Sequence, residues 1–199
     1  MSLAWLAVSG VGLAIVAASI GAARRPDIPP WERRVFHAVN GLPDWFYLVL
    51  WPPMQLGNLV VGTLVGLGCA WVAGEPAVAV GVILAMILKL VTERIVRREV
   101  KAYLEVRERP GSSHQRSVLR GGDVPSHGPS FPSGHVILVA AIACVVAPTL
   151  PPAWVWVPFL LTALVMVGRV YVGAHNPLDV TAGLGAGLLL GGLVAAFVG

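Results

Sequence analysis

A polar run, Ser130-Phe131-Pro132-Ser133-Gly134-His135, opens a long stretch that carries no charge from Val136 to Gly168. Upstream stand Lys101 and Arg109-Pro110, and downstream stand Gly168-Arg169, His175 and Asp179. Moving a phosphoryl group requires a nucleophile, a proton donor for the leaving oxygen and fixed positive charge around the equatorial oxygens. Each part is present in this set. If a helix starts near Asn176-Pro177, Asp179 falls in its first turn within reach of one nitrogen of His175. There its carboxylate would fix the tautomer and stabilise a cationic phosphohistidine as it forms. Ser133-Gly134-His135 reads as a helix start, whose unsatisfied backbone N–H groups and positive dipole end make a seat for an anion. Gly134 lets the backbone approach a phosphate, Ser133 can donate its hydroxyl, and His135 is placed to protonate the departing oxygen. Arg109 and Arg169 offer planar, permanently charged forks that match phosphate oxygens, and Lys101 offers a compact charge. No divalent metal is needed for this, no carboxylate cluster suits magnesium, and no cofactor is expected.

The elements that must hold these residues are apolar helices. Of 199 residues, 56% are hydrophobic and only 12% charged, with mean hydropathy +0.78. A soluble domain carries about 25% charged residues, so the composition is that of a multi-span membrane protein. Crossing a hydrocarbon core of roughly 30 Å takes about 20 residues, which leaves room for one domain of about six helices spanning the whole of residues 1–199. The expected spans are 2–23, 45–73, 77–100, 134–148, 152–169 and 179–198. Residues 31–44 mix charged and apolar side chains and suggest a short helix lying at the interface. Trp51-Pro52-Pro53 should bend or delay the second span, and Gly62-x3-Gly66 and Gly183-x3-Gly187-x3-Gly191 offer faces for close helix contact. Residues 111–131 form a polar loop that is either a solvated connector or a lid over a lipid headgroup. Cys69 and Cys144 lie inside apolar runs and read as packing residues. The net charge of +4 does not imply a nucleic-acid partner. Basic residues flank apolar spans, where anionic lipid headgroups are nearer.

Six alternating spans put residues 24–44, 95–134 and 170–178 on one side, so every candidate site residue meets at one end of the bundle. Ionisable side chains at span ends are costly and mark function. Lys-x7-Arg-Pro, Pro-Ser-Gly-His and Arg-x5-His-x3-Asp, in that order between apolar helices, resemble the three signatures of the type 2 phosphatidic acid phosphatase (PAP2) superfamily. The resemblance covers roughly residues 45–199. It implies an all-α, polytopic six-transmembrane-helix bundle with its active site at one membrane face. It also implies Lys101, Arg109 and Arg169 as phosphate ligands, Ser133 and Gly134 as oxyanion donors, His135 as general acid, and His175 with Asp179 as nucleophile and orienter. Two positions depart from the family's pattern. Seven residues rather than six separate Lys101 from Arg109, and Gly168 stands where a serine commonly precedes the arginine.

The function expected from residues and resemblance together is a metal-independent lipid phosphatase. It would act on a phosphomonoester or diphosphate of a membrane lipid through a phosphohistidine. Phosphatidate, phosphatidylglycerophosphate, a polyprenyl diphosphate and a polyprenyl phosphosugar phosphate present similar phosphates and stay open as substrates. A phosphotransferase on the same scaffold, with an alcohol as acceptor, and a non-catalytic lipid-binding membrane protein are the competing readings. The bilayer and a phosphorylated lipid are the expected partners, and the oligomeric state is left open. Lys and Arg collect on the motif-bearing side, which by the positive-inside rule is cytoplasmic, in the plasma membrane of a bacterium.

Overall fold

The computed structural model describes residues 2–24, 27–96, 98, 107–114, 116–122 and 124–198. Lys101 and the end of the expected third span lie outside the described residues. The described chain is helical: α1 Leu3–Ala23, α2 Pro30–Asn40, α3 Phe46–Gln55, α4 Leu59–Ala73, α5 Pro76–Ile95, α6 Gly134–Val146, α7 Val157–Tyr171 and α8 Pro177–Val198. A single turn, Pro110–Ser113, follows Arg109, and one isolated bridge joins Glu108 to Pro129. Four stretches, α1, α5, Pro152–Tyr171 and α8, are long and apolar enough to cross a membrane, and the bent pair α3–α4 makes a fifth. The remaining apolar helix, Gly134–Thr149, is shorter. At about 1.5 Å per residue it falls short of a 30 Å core on its own. It can be short because neighbours cover it on every side: from Val136 to Ala147 each residue is buried.

The second apolar segment is bent, as its prolines lead one to expect, but the bend does not fall at them. Pro52 and Pro53 sit inside α3, and the chain turns by 68° only after Gln55. Each proline forfeits one N–H but keeps a helical φ, so the helix survives for the one turn that remains. It then tightens into i→i−3 bonds from Leu56, Gly57 and Asn58 at 3.0, 3.0 and 2.9 Å. Asn58 caps α4, its Oδ1 accepting from Val60 and Val61 N–H at 3.0 and 3.3 Å. An asparagine N-cap starts this helix in a new direction. The bend presses Gly57 against the active end of α6: a Cβ there would lie 2.7 Å from the His135 Cβ.

Glycine lets α8 pack on two sides at once. Gly183, Gly187 and Gly191 face Ser133, Ile137 and Ala141, backbone to backbone, while Gly185 and Gly192 face Gly12, Ile15 and Ser9 of α1. Any side chain at these positions would separate the helices.

α2 does more than lie at a surface. Glu32, Phe36 and Asn40, spaced to share one helix face, are all buried, whereas the opposite face is exposed. Asn40 ties three elements: its Nδ2 donates to the Val118 and Tyr171 carbonyls, both at 2.8 Å, and its Oδ1 accepts from Val118 N–H at 2.9 Å. Arg120 completes the clasp. It donates to the Asn40, Tyr171 and Leu42 carbonyls at 2.7, 3.1 and 3.2 Å and to Asp44 at 2.9 Å, and its guanidinium lies over the Tyr171 ring. The polar loop is thereby fastened to the bundle mouth, and Arg120 is committed to holding it there.

Candidate active site

The return between α7 and α8 carries His175, and its backbone is set by Arg169. The Arg169 carbonyl closes the end of α7 by accepting from Ala174 and His175 N–H at 3.0 and 3.3 Å. The His175 ring is buried, and its Nδ1 stands 2.9 Å from the Ser130 carbonyl oxygen. A carbonyl can only accept, so Nδ1 carries the proton and Nε2 keeps a lone pair. Burial first, then the charges of Arg169, Arg109 and His135, hold this imidazole well below its ordinary titration range. A neutral ring with a free Nε2 beside two guanidinium groups is the state a nucleophile toward phosphorus needs.

Asp179 differs from expectation. Among the described residues its carboxylate is bonded to Arg107, Ser130 and Asn176, not to the imidazole. Oδ1 takes Arg107 Nε at 3.2 Å, and Oδ2 takes Asn176 N–H at 2.8 Å together with the Ser130 hydroxyl. The reason is helix geometry. Asp179 is the third residue of α8 and folds back onto the N–H preceding the helix, as the acidic member of a capping box does. It therefore acts on His175 at one remove, by fixing Ser130, whose carbonyl orients the ring.

Arg107 is the residue that sequence reasoning passed over. It is buried between two fully buried carboxylates, with Nη2 2.6 Å from Glu32 Oε1 and Nε on Asp179. Glu32 Oε1 also accepts from Leu178 N–H at 2.8 Å, at the start of α8. A chain of contacts thus runs Glu32–Arg107–Asp179–Ser130–His175 from α2 to the reacting ring. Arg109, two residues on, donates to the Ala174 carbonyl at 2.8 Å and stands over the same return. Asn176, the neighbour of His175, is held by His114 Nε2 at 2.7 Å and donates to the Glu108 carbonyl at 3.2 Å. His114 stacks on Phe36, and burial keeps its ring below the usual imidazole range, so it serves as a neutral donor.

On the facing side, Ser133 precedes α6 and donates its N–H to the Asp179 carbonyl at 3.0 Å. Its hydroxyl is buried and has no hydrogen bond among the described residues, leaving it available to an incoming oxygen. His135 and Arg169 share a cavity of about 200 Å³ with Tyr47, Trp51, Gln55 and Asn58 of the bent pair, and Arg120 stands at its wall. The structure therefore gathers Arg109, Ser133, Gly134, His135, Arg169, His175 and Asp179 at one end of the bundle. Gly168 fits by shape: a Cβ there would lie 2.5 Å from Met54 Cγ and 2.7 Å from its sulfur. A serine at this position would require the Met54 side chain of α3 to shift.

A helical membrane bundle whose mouth holds a buried histidine among arginines has the charge and donors that could hold an oxyanion. The chain belongs to the PAP2 superfamily, whose sequence profile matches residues 77–199. A curated relative, the undecaprenyl-diphosphatase of Sulfolobus acidocaldarius, is 38% identical over 90 residues, which are 45% of this chain and 42% of that protein. The chain thus matches less than half the length of that relative. In fold it is similar to LpxE of Aquifex aeolicus, with TM-score 0.66, 22% identity and coverage of 83% of this chain and 92% of that one. It is also similar to the first transmembrane PAP2 type phosphatidylglycerolphosphate phosphatase of Bacillus subtilis, with TM-score 0.62, 24% identity and coverage of 97% and 94%.

Proposed function

We propose that the chain is a membrane lipid phosphatase that works through a phosphohistidine on His175. The observation that carries this reading is the bond from His175 Nδ1 to the Ser130 carbonyl, because it leaves Nε2 as a basic nitrogen amid Arg169 and Arg109. Nε2 attacks phosphorus as the P–O bond to the lipid breaks, and protonated His135 delivers its proton to the leaving oxygen. Neutral His135 then takes a proton from water, whose oxygen displaces phosphate from Nε2 and restores the enzyme. The two arginines and Ser133 stabilise the equatorial oxygens in both steps. Lys101 joins them in this proposal on the strength of its motif position alone.

The lipid character of the substrate is supported by a second opening. A groove of about 90 Å³, lined by Leu56, Gly62, Gly66, Val139, Ile142 and Leu161, lies on the apolar side of the bend. Gln55 and Asn58 face the polar cavity and Leu56 the apolar groove, so a headgroup and its tail would straddle the kink. Phosphomonoester and diphosphate lipids both meet this description, and release of inorganic phosphate from a panel of each is the test. Transfer to an added alcohol in place of water would favour the phosphotransferase.

We propose that catalysis needs no metal, because fixed guanidinium charge is already directed at the transferring group. Orthovanadate, which takes a trigonal-bipyramidal form, is expected to inhibit, and EDTA to leave the rate unchanged. Loss of turnover in EDTA with recovery on adding magnesium would refute the proposal.

Counting the bent pair and α6 as one crossing each gives six, with the site on the side where Lys and Arg collect. We propose that this side is cytoplasmic. A His127→Cys reporter, at an exposed loop position, in a Cys69→Ala, Cys144→Ala background should react with a membrane-impermeant thiol reagent only after cells are permeabilised. Full labelling of intact cells would reverse the orientation.

A further inference from the structure

Lys89 and Glu93 stand at the same mouth without a part in the chemistry above. Both lie on α5, one turn apart, with Nζ 3.0 Å from Oε2. Lys89 is 9% exposed, an uncommon burial for a lysine, and it sits within a stretch suited to crossing the membrane. Intramembrane charges are retained where they serve a function. The pair faces α6 at its first residue. A Cβ on Gly134 would overlap Glu93 Oε1 and lie 3.3 Å from Lys89 Cε, so both side chains rest against the bare Cα of Gly134. Next to Gly134, the Ser133 hydroxyl is fully buried and unbonded among the described residues. A carboxylate, a lysine, the start of a helix and an unused hydroxyl thus surround one spot beside the general acid.

We propose that Lys89 is a further ligand for the phosphate of the lipid headgroup, and that Glu93 holds it until that phosphate takes the carboxylate's place. This rests on the phosphatase reading and adds a binding group to it. A phosphate dianion carries more charge than a carboxylate and brings three acceptor oxygens. It can take the Lys89 ammonium, the Ser133 hydroxyl and the start of α6 together. Glu93 can release the lysine toward water, since its side chain is 21% exposed at the polar end of α5. A glycine at 134 is what allows the carboxylate and the phosphate to use the same place in turn.

The two residues have opposite expected signs, which a merely structural pair would not. Orthovanadate and inorganic phosphate are titrated calorimetrically into full-length protein in detergent, so that binding is read without turnover. Glu93→Gln is expected to tighten both anions several-fold. Lys89→Met should weaken them at least about tenfold, the loss typical of one charge-assisted hydrogen bond. The gain from Glu93→Gln should be smaller in the Lys89→Met background than in the wild type, because part of it is exerted through the lysine. If Lys89→Met does not fold, Lys89→Arg is used, with binding retained as the expected result, and the sign of Glu93→Gln still decides. Weaker binding in Glu93→Gln, or Lys89→Met within twofold of wild type, would overturn the proposal. Failure of the wild type to release phosphate from any lipid would sink the phosphatase reading while leaving these binding constants to judge the pair.

Discussion

His175→Ala is expected to remove turnover while leaving a folded protein. The ring supplies the basic nitrogen that the site fixes beside Arg169 and Arg109, and His135 is assigned to the leaving oxygen. Among the described residues no neighbour is positioned to form the bond to phosphorus in its place. Loss of a nucleophile costs roughly 10³ to 10⁶ in rate, so phosphate release from dispersed lipid should fall to background. Folding is affected much less. The substitution leaves the Ser130 carbonyl without its 2.9 Å partner, a penalty of about 1–3 kcal/mol for a buried acceptor. The readouts are phosphate release, melting in detergent, and trapping of acid-labile, alkali-stable phosphoprotein in the wild type. A variant that keeps more than about a tenth of wild-type activity cannot have lost its nucleophile. The pH dependence follows from the same environment. Because burial and neighbouring cations lower the His175 titration, its neutral form persists below the ordinary imidazole value of about 6.5. The rate of phosphoenzyme formation should therefore not fall as pH drops from about 7 to 6 through protonation of this residue.

How much of this could be read from sequence depends on the range of the interaction. The apolar stretches and the motif residues between them were legible because charge is so scarce that each cluster stands out. The start of α8 was legible too, since Asn176-Pro177-Leu178-Asp179 carries local capping chemistry. What that chemistry concealed was the partner: a carboxylate that satisfies its own helix start cannot also reach the imidazole. A bend in the second apolar segment was legible from Pro52-Pro53, but its place was not, because it falls at Gly57-Asn58, where a turn residue and an N-cap lie together. Glu32-x3-Phe36-x3-Asn40 offered a missed signal, a charged and a polar residue in line with a buried aromatic on one helix face. Lys89 offered another, a lysine inside an apolar span with an acid one turn on. The fit of Gly168 to Met54 had no such signal. Its cause is contact between α3 and α7, far apart in the chain.

Arg107→Ala should destabilise the protein more than any substitution at the phosphate-facing residues. Arg107 lies between Glu32 and Asp179, both 0% exposed, and its removal leaves two buried carboxylates with no cation between them. Breaking a buried pair from one side costs about 3–5 kcal/mol, a large part of the roughly 5–15 kcal/mol that holds a typical domain together. Asp179→Asn is not a mild alternative. Both carboxylate oxygens accept, Oδ1 from Arg107 and Oδ2 from Ser130 and Asn176, so whichever way an amide is turned its NH2 meets a donor. Ser130 would be released and the His175 ring with it, giving a fall in kcat smaller than that of His175→Ala. The sharper comparison joins Arg107→Ala with Glu32→Gln. If the arginine serves chiefly to neutralise the two acids, removing one acid must relieve part of the damage. Glutamine keeps an oxygen for the Leu178 N–H that Glu32 now accepts at 2.8 Å. The double variant should then melt higher than Arg107→Ala alone, a coupling that independent sites would not show. Equal or lower melting of the double variant would mean that packing of the guanidinium, and not its charge, holds α2 against the start of α8.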